Sequence, residues 1–565
     1  MTPRQTALAA RTLAGLLLLG LFALPLLAAV GQGLAGAMDA TAWAALADEP
    51  ALPRALGLSL ATALLATGLA LAALLWSMPQ LHGRPAWAWL QRALGPLLAM
   101  PHAAFAIGVA LWIMPSGLLA RLLAVPLGWT APPDVASVQD PWGLGLALAL
   151  SAKEWPFLLW CCAAQLGRAD LGPRLRQQLG AGRSMGYGTT TLWWRVVWPQ
   201  LLPRLAWPLA AVWAYALTVV DMALVLGPAR PPTLAMLAWA WLQDPDVAQQ
   251  RQGAAAALLL ALVLVAGLLL AWLAWRAAAA ALTRRAMRGD RPAAGRGAWR
   301  GVWRHRVAVA TLVALGLGQG LVLALLALAS AVPLWPFPAL WPPAGLGWQA
   351  WALALGASGA LGHTLALALA SAASGLLLAL AWLEVSPPHW DGRAAVLVFL
   401  PLWWPAMLLA SGLYSALLPW RLDGSWLGVW LAHGLVTAPY ALVALAPAHR
   451  AFDPRYRQVA QALGRGGAAF LWRVKWPMLL APLTAAFAVA FAVSVSQYLG
   501  TQLVGAGRWP TLATEALTLA AGGQRDRVAA FALLQALLPA AVFAGAAAIG
   551  LWQARRTGGV TGAAR

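Results

Sequence analysis

Apolar runs of about twenty residues, the length that spans a lipid hydrocarbon core as a helix, recur along the whole chain. They cover 12–30, 55–76, 94–117, 140–163, 203–226 and 254–276, and then 306–330, 357–383, 394–418, 427–447, 479–499 and 528–551. Leu and Ala dominate them, and the period-two alternation of a half-buried strand is absent. Backbone groups in lipid must be satisfied inside the segment, so helices are the form these runs predict. One such run could be a buried core helix; a dozen cannot all be cores. The pattern predicts an all-α polytopic membrane protein with about twelve transmembrane helices, six in each half. The fourth run of each half is the most interrupted, by Lys153, Glu154 and Pro156 in the first and by Pro439 in the second.

Composition agrees: 62% of residues are hydrophobic and 10% charged, where a soluble domain carries about a quarter charged. The formal charge of +21 would suggest nucleic acid in a soluble protein. Here the arginines lie in loops flanking the apolar runs, with no aromatic-interleaved basic face to track a phosphate backbone, and anionic lipid headgroups are their simplest partner. With a cytoplasmic N-terminus, 29 of the 38 Lys and Arg residues fall on the inner side; eight fall outside (Arg54, Arg121, Arg230, Arg251, Arg421, Arg508, Arg525, Arg527) and Lys153 lies within a run. That asymmetry supports an even number of crossings with both termini cytoplasmic. Arg4 and Arg11 precede the first run as in a secretory signal, but its apolar stretch is long and another follows, which favours an uncleaved first helix. Cys161 and Cys162 are adjacent and the seven histidines are scattered, so neither a disulfide framework nor a metal site is expected.

A second pattern lies in the polar segments. GRSMGYGTTTLWWRVVWP at 182–199 is echoed by QALGRGGAAFLWRVKWP at 461–477: Gly186, Trp194, Arg195, Val196, Trp198 and Pro199 recur 278 positions later as Gly464, Trp472, Arg473, Val474, Trp476 and Pro477. The chain is a tandem repeat. Residues 277–305, rich in Arg and Gly, divide a first unit at 1–276 from a second at 306–565. Six crossings return the linker to the cytoplasm, so the halves are parallel and related by a pseudo-two-fold axis along the membrane normal. Each repeated segment sits in an inner loop of about 30 residues, too long and too patterned for a plain turn. Gly186 and Gly464 permit a tight bend, and Pro199 and Pro477 stand at the start of the next span, where a missing N–H is tolerated.

These loops resemble the cytoplasmic loop of MetI-like permease subunits of binding-protein-dependent ABC importers, whose pattern is roughly EAA, three residues, Gly, twelve residues, Pro. The second loop keeps Ala460, Gly464 and Pro477 at that spacing; the first keeps Ala181, Gly186 and Pro199; Gly180 and Gln458 replace the acidic residue. The resemblance spans the chain, since fused double permeases occur in the group that handles ferric iron and thiamine. It implies two tandem six-helix MetI-like domains in a bacterial inner membrane. Loops 170–202 and 450–478 would each carry a coupling helix onto one of two copies of a cytoplasmic ATPase, with a periplasmic or extracellular solute-binding protein delivering substrate. Trp194 and Trp472 then serve either as interfacial anchors or as packing against the ATPase, and Arg195 and Arg473 either face lipid or touch the partner. The chain has no GxxxxGK[ST] segment, so ATP is used by the partner subunits and this chain binds no cofactor.

Lys153, Glu154, Asp221, Ser494, Ser496 and Gln497 are the polar residues within runs that could line a pathway or gate; ion pairing or hydrogen bonding between helices is the competing reading. Nothing in them selects a metal ion, an organic cation or a sugar. The alternative to an ATP-driven permease is an ion-coupled secondary carrier using Glu154 or Asp221, which leaves the duplicated loop unexplained.

Overall fold

Helices account for every regular element in the computed structural model, which describes residues 3–168, 170–287, 297–342, 345–357 and 359–562. Among these residues nine helices are long and apolar enough to cross a membrane, or up to 11 if each of two bent pairs counts as one span. The shortfall from twelve lies at 203–226, where a continuous span was expected. The chain instead forms Ala206–Thr218, breaks, and resumes as Asp221–Leu226.

The break is itself repeated. In the second half Leu480–Val495 ends at the corresponding place and Leu499–Gly505 follows, with Val220 and Tyr498 preceding the short helices at nearly equal dihedrals (φ −116°, ψ −48° and φ −109°, ψ −58°). The hydroxyl of Thr218 donates to Ala214 O and that of Ser496 to Ala492 O, both at 2.8 Å. Each hydroxyl thus closes back on the last turn of its helix, and in the second half Ala492 O accepts the Ser496 N–H as well, at 3.1 Å. The third span breaks in both halves too. Pro101 and Pro405 precede the helices His102–Ile113 and Ala406–Leu417, and the second-half pair is bent by 97°.

Other contacts obey the same pairing. Ser59 Oγ, in Leu52–Leu81, accepts the N–H of Leu234; Thr364 Oγ1, in Ala360–Val385, accepts that of Leu512; both are 2.9 Å. These amides open the helices Leu234–Leu242 and Leu512–Gly522, so a buried hydroxyl satisfies a donor that the helix start leaves free.

The halves exchange their first helices. Leu24–Ala37 packs on Ala406–Leu417 of the other half, and Gly297–Ser330 packs on His102–Ile113. A Cβ on Gly412 would collide with Ala29 O, and one on Gly108 with Val322. Helices without a hydrophobic drive between them associate through close backbone approach at small residues. On the outer side the buried Arg121 donates to the carbonyls of Ser116, Trp335, Pro336 and Ala339 at 2.6–3.0 Å, pinning a second-half loop to the first half.

The Arg- and Gly-rich linker is helical on both flanks: Val247–Met287 continues into it and Gly297–Ser330 emerges from it. The alanine run 277–281 prolongs the first of these, as its helix propensity dictates. Residues 288–296, and with them Arg288, Arg291 and Arg296, lie outside the described residues, as does Arg565.

Candidate functional site

Both duplicated loops begin with a short helix, Gly172–Ser184 and Arg455–Ala462, closed in the same way. Gly186 and Gly464 adopt φ of +83° and +69°. Their N–H groups donate to Arg183 O and Gln461 O, both 3.0 Å, and the next residues, Tyr187 and Arg465, donate to Gly182 O and Ala460 O at 3.1 and 2.8 Å. This is the paired closure of a Schellman cap, which places a left-handed residue just past the helix and favours glycine there. It also settles the register of the alanines. Ala460 is buried against its loop, and the residue in its place in the first loop is Gly182, where a Cβ would collide with Leu192; Ala181 points outward.

After the cap each loop enters a π-helical turn, Trp193–Val197 and Leu471–Lys475, in which Trp198 N–H closes on Trp193 O and Trp476 N–H on Leu471 O. Pro199 and Pro477 follow directly and lack the N–H that would continue a regular ladder, so the widened turn sits where the ladder is already interrupted. In the second loop the chain then bends by 77°. Gln553, from the last helix, serves the bend: its Nε2 donates to Pro477 O and Met478 O, and its Oε1 accepts from Ala481 N–H, all at 3.0 Å.

The side chains around the loops differ between halves. In the first, Trp193, Val197 and Trp198 are buried in a cluster with Leu81, Leu166, Leu175 and Leu179. His82 lies edge-on to Trp193 at 5.5 Å, and burial, helped by the Arg176 and Arg183 charges, holds its pKa below the usual histidine value. Asp170 accepts from Arg168 and Arg204 at 2.9 and 3.0 Å, and these bonds hold its carboxyl at about 2. In the second, Glu384 pairs with His449 Nε2 at 2.9 Å and with Lys475 Nζ at 2.8 Å, and Asp391 receives Arg450 at 2.7 Å. Trp194 is 43% and Trp472 67% exposed, joined on the surface by Met185 and by Tyr456, Val459 and Leu463. Arg195 lies over the Tyr187 ring at 5.8 Å, whereas Arg473 projects outward.

Within the membrane region the pathway candidates divide. Glu154 is buried and bonded to His102 Nε2 at 3.2 Å; the His102 ring lies 4.6 Å from that of Tyr215; and the Tyr215 hydroxyl donates to Asp221 at 2.9 Å. Lys153 turns the other way, donating to Leu97 O at 3.1 Å. Ser494 belongs to a separate buried set, bonded to His433 at 2.7 Å, which also meets Thr501 at 2.8 Å. Ser496 is committed to its own helix end, and Gln497 lies in the break that follows. The sequence reading passed over His102 and Tyr215, although a tyrosine six residues before an intramembrane aspartate was the available signal. Among the described residues no three His, Cys, Asp or Glu side chains converge as a metal site would require.

Comparison with known proteins places this geometry. The chain is 36% identical over 532 residues to the inner membrane ABC transporter permease protein YnjC of Escherichia coli (strain K12), an alignment covering 94% of each chain. The chain belongs to the inner-membrane ABC transporter permeases. No protein-family model matches it, and no solved structure does. The permease is a multi-pass inner-membrane transport subunit rather than an enzyme.

Proposed function

We propose that this permease forms the translocation pathway of an ATP-driven importer. In this reading two MetI-like domains, 1–276 and 306–565, each of six spans and joined by 277–305, meet around a central path with both termini cytoplasmic. Loops 170–202 and 450–478 each engage one copy of a cytoplasmic ATPase, and a periplasmic binding protein supplies the solute. The observation that carries the reading is the twice-built loop: a glycine-capped helix, a π turn and a proline at matched positions, with Trp194 and Trp472 exposed beside Met185 and Leu463. Exposed apolar side chains grouped on a loop call for a protein cover.

Glu154 and Asp221 mark the path, joined through His102 and Tyr215 without a guanidinium partner. Asp221 is met by a tyrosine hydroxyl and Glu154 by His102, beside the buried Lys153; intramembrane carboxylates mark solute and ion pathways, and a thiamine-like organic solute or ferric iron is the cargo this reading expects. The test is purification of the permease from its native membrane in mild detergent. Retention of an ATPase at two copies per chain supports the importer. Active transport by a preparation repeatedly free of ATPase would overturn it and favour an ion-coupled carrier working through the Glu154 to Asp221 file.

A further inference from the structure

The matched marks of the repeat put the two halves in register: Ser59 with Thr364, Pro101 with Pro405, Pro156 with Pro439, Gly186 with Gly464. In that register the five side chains that form the second half's ion-pair network have no charged counterpart. Glu384 corresponds to Pro79, Asp391 to Trp87, His449 to Leu166, Arg450 to Gly167 and Lys475 to Val197. Pro79, Leu166 and Val197 are buried, the latter two in the apolar cluster under the first loop. The first loop is thus seated mainly by contact that is non-directional and survives small sliding, since its own ion pairs, Asp170 with Arg168 and Arg204, are exposed to solvent and correspondingly weak. The second is tied by groups whose separation is costly.

We propose that Glu384, His449 and Lys475 are positioning residues that transmit the movement of the second coupling loop, and not the first, into the membrane. Lys475 stands in the π turn by which the loop leaves the coupling helix; Glu384 ends the second span of that half and His449 the fourth. One carboxylate therefore joins the loop exit to two spans, at 2.8 Å to Lys475 and 2.9 Å to His449. His449 is 4% and Lys475 12% exposed in its side chain, so pulling them apart would leave partly buried charge unpaired. A second tie runs alongside. Arg450 donates to both Asp391 oxygens at 2.9 and 2.7 Å and to the carbonyls of Leu383 and Ser386, fixing the end of the fourth span to the start of the third. The loop exit and three spans then move together. The first loop, lacking these ties, follows its ATPase with more slip. This inference rests on the coupling-loop reading above.

The test uses the full-length permease with its co-purified ATPase, with Cys161 and Cys162 replaced by alanine. Spin labels are placed in pairs, Arg465→Cys on the second loop or Trp420→Cys at the outer turn of the same half, each against the exposed Trp142→Cys of the first half, and distances are read with and without ATP and vanadate. In the parent both the loop and the outer turn shift relative to the first half. With Lys475→Glu the loop label still shifts and the ATPase is retained, while the outer shift falls at least about threefold. Glu384→Lys combined with Lys475→Glu restores it, since the ammonium introduced at the end of the second span can meet both the new carboxylate and the ring of His449. An undiminished outer shift in Lys475→Glu, or a reversed pair that fails to restore it while the loop still shifts, overturns the inference and leaves the coupling reading standing. If the parent's loop label fails to respond with ATPase bound, the coupling reading falls and takes this inference with it.

Discussion

Gly464 offers a direct measure of what the loop geometry is worth. Its φ is +69°, and a Cβ built there meets nothing within 4 Å. A substitution is therefore penalised by backbone conformation alone. An L-residue held in the left-handed region costs about 1–2 kcal/mol, a factor of roughly 5–30 in the population of the capped loop. Asparagine tolerates that region better than alanine, and a β-branched residue is the worst fit. ATPase binding should therefore fall in the order Gly, Asn, Ala, Val, with Gly464→Val retaining roughly one fifth to one thirtieth of the parent's affinity and Gly464→Asn close to the parent. The same order is expected at Gly186, where φ is +83° and the space is equally open. The assay is titration of the purified ATPase against permease in nanodiscs, with ATP hydrolysis read in parallel and membrane insertion checked by yield. Equal binding by the Asn and Val variants, or full ATPase stimulation in the Gly186→Val, Gly464→Val double variant, would show that the cap does not present the coupling surface.

Further outcomes follow from other sites. Gly412→Val should lower the thermal midpoint markedly, because its Cβ meets backbone at Ala29 that cannot yield, at a cost of about 1–3 kcal/mol or more; Gly57→Ala, with open space around it, is the matched control and should not. Ser494→Ala should cost about 1 kcal/mol of stability through the lost His433 bond and leave ATP-dependent transport unchanged, whereas Glu154→Gln should keep stability and lose transport. His82 has a folded pKa below 6.5, so the unfolded chain takes up the proton first as pH falls. Its contribution to stability is intact above pH 6.5 and is lost on acidification below it. The drop in thermal midpoint between about pH 7 and about pH 5 should accordingly shrink in His82→Leu.

The spans and the duplicated loop were legible because both are written in local patterns: runs of Leu and Ala, and a Gly-to-Pro interval that occurs twice. What escaped depends on chain segments far apart. The pairing of Glu384 with Lys475 joins residues 91 positions apart, and no local spacing announces it. The break after Thr218 escaped for another reason. Hydropathy counts Thr and Val as acceptable in a span, yet Val219 turns to an extended conformation (φ −63°, ψ 131°) and ends the helix there, a backbone event that an apolar count does not register. The family pattern also pointed to Ala181 as the partner of Ala460, while the cap shows that Gly182 holds that place, because the position demands a small buried residue rather than alanine as such. His102 illustrates the converse, a lone histidine without ligand spacing that acquires a role only when Glu154 and Tyr215 converge on it.

The exchange of first helices bears on why the two halves share one chain. Gly33 and Gly412 mesh on one side, Gly108 and Val322 on the other, so each half completes the other's packing. Halves made as separate polypeptides would meet by diffusion, and two identical copies could dock as readily as two different ones. Covalent linkage removes that competition at synthesis: every molecule contains one loop seated mainly on apolar contact and one tied by partly buried ion pairs, in fixed proportion. A single chain thereby lets the two cytoplasmic ends differ without producing like-with-like pairs.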